Sequence, residues 1–325
     1  MVKQERSIES MPRPTVYVMG AYLRAGGARM AYEIGLVAHQ ALGLSCKAVV
    51  SSGEDLGSSC FNYEVRFETV QREHLLSLVR SDDLLICNPS FSDGSVGLTY
   101  RCRKLMYIQG FNTFSTLDLW FDRYVSVSGF VQKYIKNTYA LKTEVIAPFI
   151  TVNPALTKPW RDRPAGSIWF YMKGGRLQLE LLKRLKDEVE RVNGRLASQI
   201  DWEGSLLWAG NHRQADLLEK IAERRYFVSL SVCEGFGLVP LEAMALGTAI
   251  LGFDGFGGRD YFLRGKNCFV RRYPDVAGVA RDLVRCLEEQ DLAERIASQG
   301  PITASFYSSD RFRENWTGVL QEILL

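Results

Sequence analysis

Residues 231–247 of the chain read Ser-Val-Cys-Glu-Gly-Phe-Gly-Leu-Val-Pro-Leu-Glu-Ala-Met-Ala-Leu-Gly, which describes one complete passage from strand to helix. The apolar run 226–232 predicts a strand, which we expect to end at Glu234. A loop with two glycines follows. We predict a helix over 240–246 because its first residue is proline and because Gly247 stands directly after it. A strand, a glycine loop and a helix in this order are typical of a parallel sheet with crossover helices.

The same stretch combines an anion site with two carboxylates. A glycine loop and the first turn of a helix present backbone N–H groups that have no partner within the helix, and such groups suit a diphosphate. Glu234 and Glu242 lie on either side of that site. Because an ionised carboxylate only accepts hydrogen bonds, sugar and ribose hydroxyls are its natural partners. The pattern therefore favours a phosphorylated, hydroxyl-rich ligand.

The rest of the chain repeats the alternation of short apolar strands and amphipathic helices. A proline-rich segment, 148–166, interrupts it and is predicted to be a linker between two domains. We therefore predict an α/β protein with two Rossmann-like domains, residues 1–150 and 151–325, that face each other across a cleft, with the last helix packing back on the first domain. The strands expected are Val16–Met19, Lys47–Val50, Leu84–Cys87, Lys104–Ile108, Tyr124–Val127 and Glu144–Ala147, then Ser167–Tyr171, Tyr226–Val232 and Thr248–Phe253.

The 231–247 stretch resembles the signature of the GT4-like retaining glycosyltransferases, which have the GT-B fold. The shared features are the Glu-x7-Glu spacing, Gly-Phe-Gly after the first glutamate, and Glu-Ala-Met-Ala-x-Gly around the second. The similarity continues through 252–261 and is closest to a branch found in bacterial glycan-synthesis clusters. It implies transfer of a sugar from a nucleoside-diphosphate sugar to a glycan, lipid-linked or small-molecule acceptor in surface-polysaccharide synthesis. It also implies that the C-terminal domain binds the nucleotide sugar and that the N-terminal domain faces the acceptor.

The resemblance also assigns roles to single residues. Glu234 would contact the hydroxyls of the donor sugar and Glu242 the ribose, while the backbone N–H groups of the loop would contact phosphate and sugar. Lys173 and Arg176 correspond to a cation pair that neutralises the diphosphate in the family, although their spacing is tighter here. The loop residues concerned are Gly235, Phe236, Gly237 and Leu238.

Two further positions come from the first half of the chain. Gly26 and Gly27 follow the first strand, where the family has a glycine loop and where small residues allow a ligand to approach the backbone. Gln109 stands where several family members have a histidine near the reacting sugar. Retention in the family is explained by front-face attack, in which the donor's own phosphate accepts the acceptor's proton. An amide at this position is compatible with that mechanism.

Other interpretations of the same residues stay open. Gly235-x-Gly237, with Asp254 downstream, resembles a dinucleotide fingerprint, but Pro240 stands at the third glycine position. The glutamates alone would also suit a plain strand-turn-helix corner. A catalytically silent nucleotide-sugar-binding subunit and a nucleotide-sugar epimerase are alternative functions.

Composition narrows the class of protein. The net charge is +3 and the basic residues are interspersed with acidic ones, so we expect no nucleic-acid partner. No Asp-x-Asp pair occurs, from which we expect metal-independent catalysis without a cofactor. Seven widely spaced cysteines suggest buried free thiols in a reducing compartment.

With no apolar leader in 1–13, we expect a cytoplasmic protein with at most a weak, peripheral contact to the inner membrane. Helix 129–142 is the candidate for that contact, with Lys133, Lys136 and Lys142 among Phe130, Tyr134 and Ile135.

Overall fold

The computed structural model of the chain contains two parallel sheets, one in each half. It describes residues 13–23, 25–53, 61, 63, 65–92, 94–111, 115–208, 210 and 212–324. The first sheet has seven strands in the order β3-β2-β1-β4-β5-β6-β7. Its strands are β1 (Thr15–Met19), β2 (Ser45–Val50), β3 (Glu68–Gln71), β4 (Leu84–Cys87), β5 (Arg103–Ile108), β6 (Arg123–Ser126) and β7 (Glu144–Val145). The helices of this half are α1 (Gly26–Leu42), α2 (Arg72–Leu78), α3 (Val96–Thr99) and α4 (Gly129–Tyr139).

The second sheet has five strands in the order β12-β11-β10-β8-β9. They are β8 (Ile168–Met172), β9 (Leu206–Trp208), β10 (Tyr226–Ser229), β11 (Ala249–Phe253) and β12 (Phe269–Arg271). The helices are α5 (Arg176–Ala197), α6 (Gln214–Ala222), α7 (Leu238–Ala245), α8 (Val276–Glu288), α9 (Gln290–Ala297), α10 (Gln299–Ser305) and α11 (Ser309–Leu324). The predicted α/β class with two parallel-sheet units is confirmed.

The central strands are continuous apolar runs because helices cover both faces of each sheet. Every residue of β4 and of β10 is buried. Along β8, Trp169 and Tyr171 belong to one hydrophobic cluster, whereas Phe170 and its even-numbered neighbours belong to another on the opposite face. The first of these clusters continues without interruption into the first half of the chain.

The C-terminal helix α11 lies on the first sheet's side of the molecule, against α1. The Trp316 indole contacts the Tyr107 ring edge to face, with centroids 5.1 Å apart, and Phe312 packs on Phe149 at 5.1 Å. Arg123 of β6 forms an ion pair with Glu322 of the same helix at 2.9 Å. The end of the chain therefore joins the two halves a second time.

The segment between the sheets contains two short 3-10 turns, Pro154–Leu156 and Trp160–Asp162, and its second part is fastened to the second sheet. The buried Arg163 guanidinium donates to the carbonyl oxygens of Lys158, Arg224 and Leu246. The division of domains at residue 150 stays a prediction.

Three local predictions differ from the structure. β10 ends at Ser229, so Glu234 lies in the following loop and not at a strand end. Helix α7 begins at Leu238, which places Pro240 third; proline is tolerated there because the first N–H groups of a helix have no intrahelical partner. The thiol of Cys233 is exposed because it belongs to that loop, whereas the other cysteines of the described residues are buried. Cys60 lies outside the described residues.

Strands β3, β9 and β12 are short and were not among those predicted. Each has only three or four residues and lies at an edge of its sheet, where the apolar signal is weak. None of the helices in the described part of the chain is long and apolar enough to cross a bilayer.

Candidate active site

A cavity of about 490 Å³ lies between the two halves of the chain. It is formed where β8 ends, where α1 begins and where the loop after β10 leads into α7, as expected for ligand sites at the carboxyl ends of parallel strands. Its lining includes every predicted site residue except Arg176. These are Gly26, Gly27, Gln109, Lys173, Glu234, Gly235, Phe236, Gly237, Leu238 and Glu242.

Glu234 is held by both its backbone and its side chain. Its N–H donates to the Gly255 carbonyl at 2.8 Å, and its own carbonyl accepts from the Gly257 N–H at 3.1 Å. One carboxylate oxygen accepts from the Ser231 hydroxyl at 2.7 Å, and the other accepts from the Lys173 ammonium at 2.6 Å. The buried carboxylate therefore points in one fixed direction, beside a cation.

The two predicted cations differ in position. Lys173 follows β8 directly, and half of its side chain is exposed to the cavity and solvent. Arg176 is the first residue of α5, is exposed, and lies outside the described lining of the cavity. Of these two predicted cations, Lys173 is therefore the one that lines the cavity.

The beginning of α7 supplies the backbone donors. Gly237, the residue before the helix, has φ 93°, a conformation that side chains other than glycine rarely adopt. Its carbonyl accepts from the Tyr261 hydroxyl at 2.6 Å, which fixes the entry into the helix. The N–H groups of Leu238 and Val239 are in the first turn and have no intrahelical partner. Both residues line the same cavity as Lys173.

Glu242 is enclosed on the opposite side of the helix start. Only 3% of the residue is exposed, and its carboxylate accepts from the Gln214 amide at 2.6 Å. The Gln214 carbonyl oxygen in turn accepts from Arg29, on helix α1, at 2.9 Å. Burial raises the pKa of Glu242 to about 7, while the Gln214 hydrogen bond and the charge of Arg29 act in the opposite direction.

Arg29 and Gln214 are site residues that the sequence analysis missed. They are 185 positions apart and belong to opposite halves of the chain, so no local pattern connects them. Arg29 also lies over the Phe149 ring, 5.5 Å from its centroid. The chain of contacts from Arg29 to Glu242 couples the first helix of the chain to the predicted ribose site.

Gln109 lies where this cavity meets a second one. Its amide nitrogen donates to the Gly27 carbonyl at 2.9 Å, and its oxygen accepts from the Asn88 amide at 3.2 Å. These two bonds determine which end of the carboxamide faces which neighbour. The residue occupies the predicted position between the halves, at the end of β5.

The two halves touch closely beside Gln109. A side chain at Gly235 would collide with the Gln109 backbone carbonyl, so the approach requires glycine. The Gly235 carbonyl accepts from the Ser128 hydroxyl at 2.7 Å, and the Gly129 N–H donates to Asp260 at 2.7 Å. These contacts join the start of α4 to the loops after β10 and β11, and the cleft is closed at this point.

The apolar side of α4 faces this junction. Phe130 and Phe111 have ring centroids 4.8 Å apart, and Phe130 and Phe256 are 5.0 Å apart. Ile135 is buried, whereas Lys133 and Lys136 are exposed. The predicted membrane contact through this helix stays a prediction, and it now depends on the lysines because the aromatic rings face inward.

The second cavity, of about 670 Å³, lies within the first half of the chain and shares Ala25, Gly27 and Gln109 with the first. Its wall combines aromatic rings, small hydroxyl side chains, the two amides of Asn88 and Gln109, and one carboxylate, that of Asp118. The same wall includes Ser90, Phe91 and Thr116.

Comparison with known proteins places this geometry in context. Residues 170–302 match the family described as glycosyl transferases group 1. Among curated protein sequences, none matches the chain. Among solved structures, a glycosyltransferase from Rickettsia africae has a TM-score of 0.72 at 15% identity, covering 96% of this chain and 99% of its own.

Two further structures have the same fold. Sucrose-phosphate synthase from Thermosynechococcus elongatus has a TM-score of 0.68 at 13% identity, covering 95% of this chain and 99% of its own. The Anabaena protein HepE, solved with UDP, has a TM-score of 0.70 at 12% identity, covering 95% and 100%. HepE was also solved with UDP and glucose together.

At these identities the solved structures establish the fold, and the family match covers residues 170–302. Together they support glycosyl transfer as the reaction. The chain therefore has the GT-B fold, and its residues 170–302 are similar to the glycosyl transferases group 1.

Proposed function

We propose that the protein is a retaining, GT4-like glycosyltransferase that uses a nucleoside-diphosphate sugar and acts in the synthesis of a bacterial surface polysaccharide. The observation that carries this proposal is the placement of Glu234, with its Lys173 partner, and Glu242 on either side of the start of α7 within one cleft. An anion site between two carboxylates matches a diphosphate with a sugar at one end and a ribose at the other.

In this arrangement the diphosphate lies between the first turn of α7 and Lys173. The donor sugar donates its hydroxyls to Glu234, and the ribose donates to Glu242. Lys173 balances the negative charge that builds up on the diphosphate as the glycosidic bond breaks. Because this cation and the helix N–H groups can do so together, we propose that catalysis is independent of a divalent metal.

Gln109 supports a retaining mechanism without a protein base. A carboxamide does not titrate, and its bonds to Gly27 and Asn88 hold it beside the cleft as a hydrogen-bonding group. We propose that the leaving diphosphate accepts the proton of the attacking hydroxyl on the same face of the sugar.

The second cavity is the proposed acceptor site, and its chemistry favours an uncharged sugar. No Lys, Arg or His is found among its described lining residues, and the single carboxylate, Asp118, already accepts from Ser92, Gly97 and Trp120. A phosphate or uronate group would meet a negative charge without a cation. Hydroxyls, an amide and the Phe91 ring instead suit the hydroxyls and the apolar face of a neutral pyranose.

The donor test has two stages. We expect one of UDP, GDP, dTDP and ADP to raise the melting temperature, because a ligand that binds only the folded state stabilises it. The matching sugar nucleotides are then assayed for transfer, and NMR of the product is expected to show the donor's anomeric configuration. Binding of the nucleotide without turnover would indicate a silent subunit. Conversion of the donor sugar in the absence of any acceptor would indicate an epimerase. A product with the opposite anomeric configuration to the donor would refute retention.

The acceptor test changes the charge of the second cavity. Thr116, an exposed residue that lines this cavity, is replaced by lysine. The control is Thr99→Lys, which adds the same charge at an exposed residue that is not among the described lining residues of the cavity. Methyl glycosides and sugar 6-phosphates are compared as acceptors. We expect wild type to prefer the glycosides and Thr116→Lys to shift this preference toward the phosphates by about 2- to 5-fold, the strength of an exposed charge pair. Equal behaviour of the two variants would refute the assignment.

A further inference from the structure

Tyr171, on β8, has a buried hydroxyl that forms no hydrogen bond with any described residue. Its ring is stacked on Phe227, with centroids 5.2 Å apart, and the residue lines the cleft cavity. Two other deeply buried tyrosines have partners: Tyr226 donates to the Cys286 carbonyl at 2.8 Å, and Tyr107 donates to the Ile146 carbonyl at 2.7 Å. An unpaired buried hydroxyl is unfavourable in a folded protein and calls for a partner.

The surroundings of this hydroxyl determine what that partner must be. Burial, together with the negative charges of Glu234 and Glu242, raises the pKa of Tyr171 well above its usual range. The phenol therefore stays protonated and available as a donor. The two glutamates are not free to accept its hydrogen bond in full. Their carboxylates already accept hydrogen bonds from Ser231, Lys173 and Gln214.

We propose that Tyr171 is a further donor-binding residue whose hydroxyl donates a hydrogen bond to the diphosphate of the bound nucleotide sugar. The proposal rests on the function proposed above, in which Glu234 meets the sugar and Glu242 the ribose. The group that joins sugar to ribose is the diphosphate, whose oxygens only accept hydrogen bonds. Tyr171 lines the same cavity as both glutamates, so its protonated hydroxyl is placed to meet this group.

The test removes only the hydroxyl. Tyr171→Phe keeps the ring on Phe227. Tyr226→Phe, on the neighbouring strand of the same sheet, is the matched control because its hydroxyl already donates to a backbone carbonyl, that of Cys286 in α8. Calorimetric titration uses whichever of UDP, GDP, dTDP and ADP stabilises wild type most, and also the corresponding nucleoside. Melting temperatures are measured without ligand.

We expect Tyr171→Phe to bind the diphosphate about 10- to 100-fold more weakly, as for loss of a hydrogen bond to a charged group, and to bind the nucleoside as wild type does. Its melting temperature without ligand should equal or exceed that of wild type, because no native bond is lost. Tyr226→Phe should show the reverse: a lower melting temperature and unchanged diphosphate affinity.

Three outcomes would overturn the proposal: unchanged diphosphate affinity of Tyr171→Phe, equal loss of nucleoside affinity, or a fall in melting temperature as large as that of Tyr226→Phe. If wild type binds and turns over a sugar nucleotide while any of these is seen, only the role of Tyr171 fails. If wild type binds none of the four nucleotides, the proposed function fails and the role of Tyr171 fails with it.

Discussion

Replacement of Glu242 by glutamine is expected to remove a pH-dependent penalty from the unliganded protein. The pKa of this buried carboxyl is raised from 4.5 to about 7. Between these values the folded state binds more protons than the unfolded state, so stability falls as the pH rises through this window. The contribution is favourable below pH 4.5 and is lost as the pH passes 7. Glutamine keeps the contact with Gln214 but does not titrate.

The size of the effect follows from the shift. A difference of about 2.5 pKa units corresponds to about 3 kcal/mol, since one unit is 1.36 kcal/mol. Unfolding should be measured from pH 4 to 8.5 for both proteins. At pH 4 the two should be about equally stable, and at pH 8.5 Glu242→Gln should melt about 5–10 °C higher. Because both proteins carry the same other titrating groups, their difference isolates position 242.

Nucleotide is expected to reduce the advantage of Glu242→Gln at high pH. The proposed ribose hydroxyls would donate to the ionised carboxylate, so the free nucleoside diphosphate should stabilise wild type at pH 8.5 more than it stabilises Glu242→Gln. Parallel melting curves for the two proteins across this pH range would refute the reasoning about burial. An identical nucleotide-induced shift at pH 8.5 would refute the ribose assignment.

Three other perturbations test the remaining parts of the site. Glu234→Gln should lower kcat by about 30- to 1000-fold, the value of a charged hydrogen bond made in the transition state, and should barely change the calorimetric affinity for free nucleoside diphosphate, which has no sugar; normal turnover would exclude this role. Gly235→Ala should lower turnover by about 100-fold or more because its new methyl group meets the Gln109 carbonyl and separates the halves. Its control, Gly318→Ala in the open middle of α11, should keep full turnover and gain about 0.5–1 kcal/mol in unfolding free energy. Transfer should continue in EDTA, and a loss of turnover that Mg²⁺ restores would contradict the metal-independent proposal.

The class of fold was predictable because local patterns determine it. Continuous apolar runs such as Leu84–Cys87 can only be buried inside a covered parallel sheet, and the glycine loop before α7 marks the passage from strand to helix. Boundaries were less accurate. The helix begins at Leu238 because Gly237 adopts a left-handed conformation there, whereas Pro240 alone suggested a later start.

The candidate site was predictable only where its residues are neighbours in sequence. Glu234, Glu242 and the loop between them lie on one strand-to-helix connection, so their spacing carries the signal. The same signal could not separate Lys173 from Arg176, since both follow β8. Only the tertiary structure distinguishes the two positions. Lys173 lines the cavity and donates to Glu234, whereas Arg176, at the start of α5, is not among the described lining residues.

The sequence by itself determined the α/β class, the two parallel-sheet halves and the glycine loop with a glutamate on each side, because each depends on residues within a few positions of one another. Tertiary structure alone decided the link from Arg29 through Gln214 to Glu242 and the contact of Gly235 with Gln109. It also decided that the Tyr171 hydroxyl is buried without a hydrogen-bond partner among the described residues. The physical reason is distance along the chain. Hydrogen bonding and burial act between groups that meet only after the two sheets have formed and closed on each other.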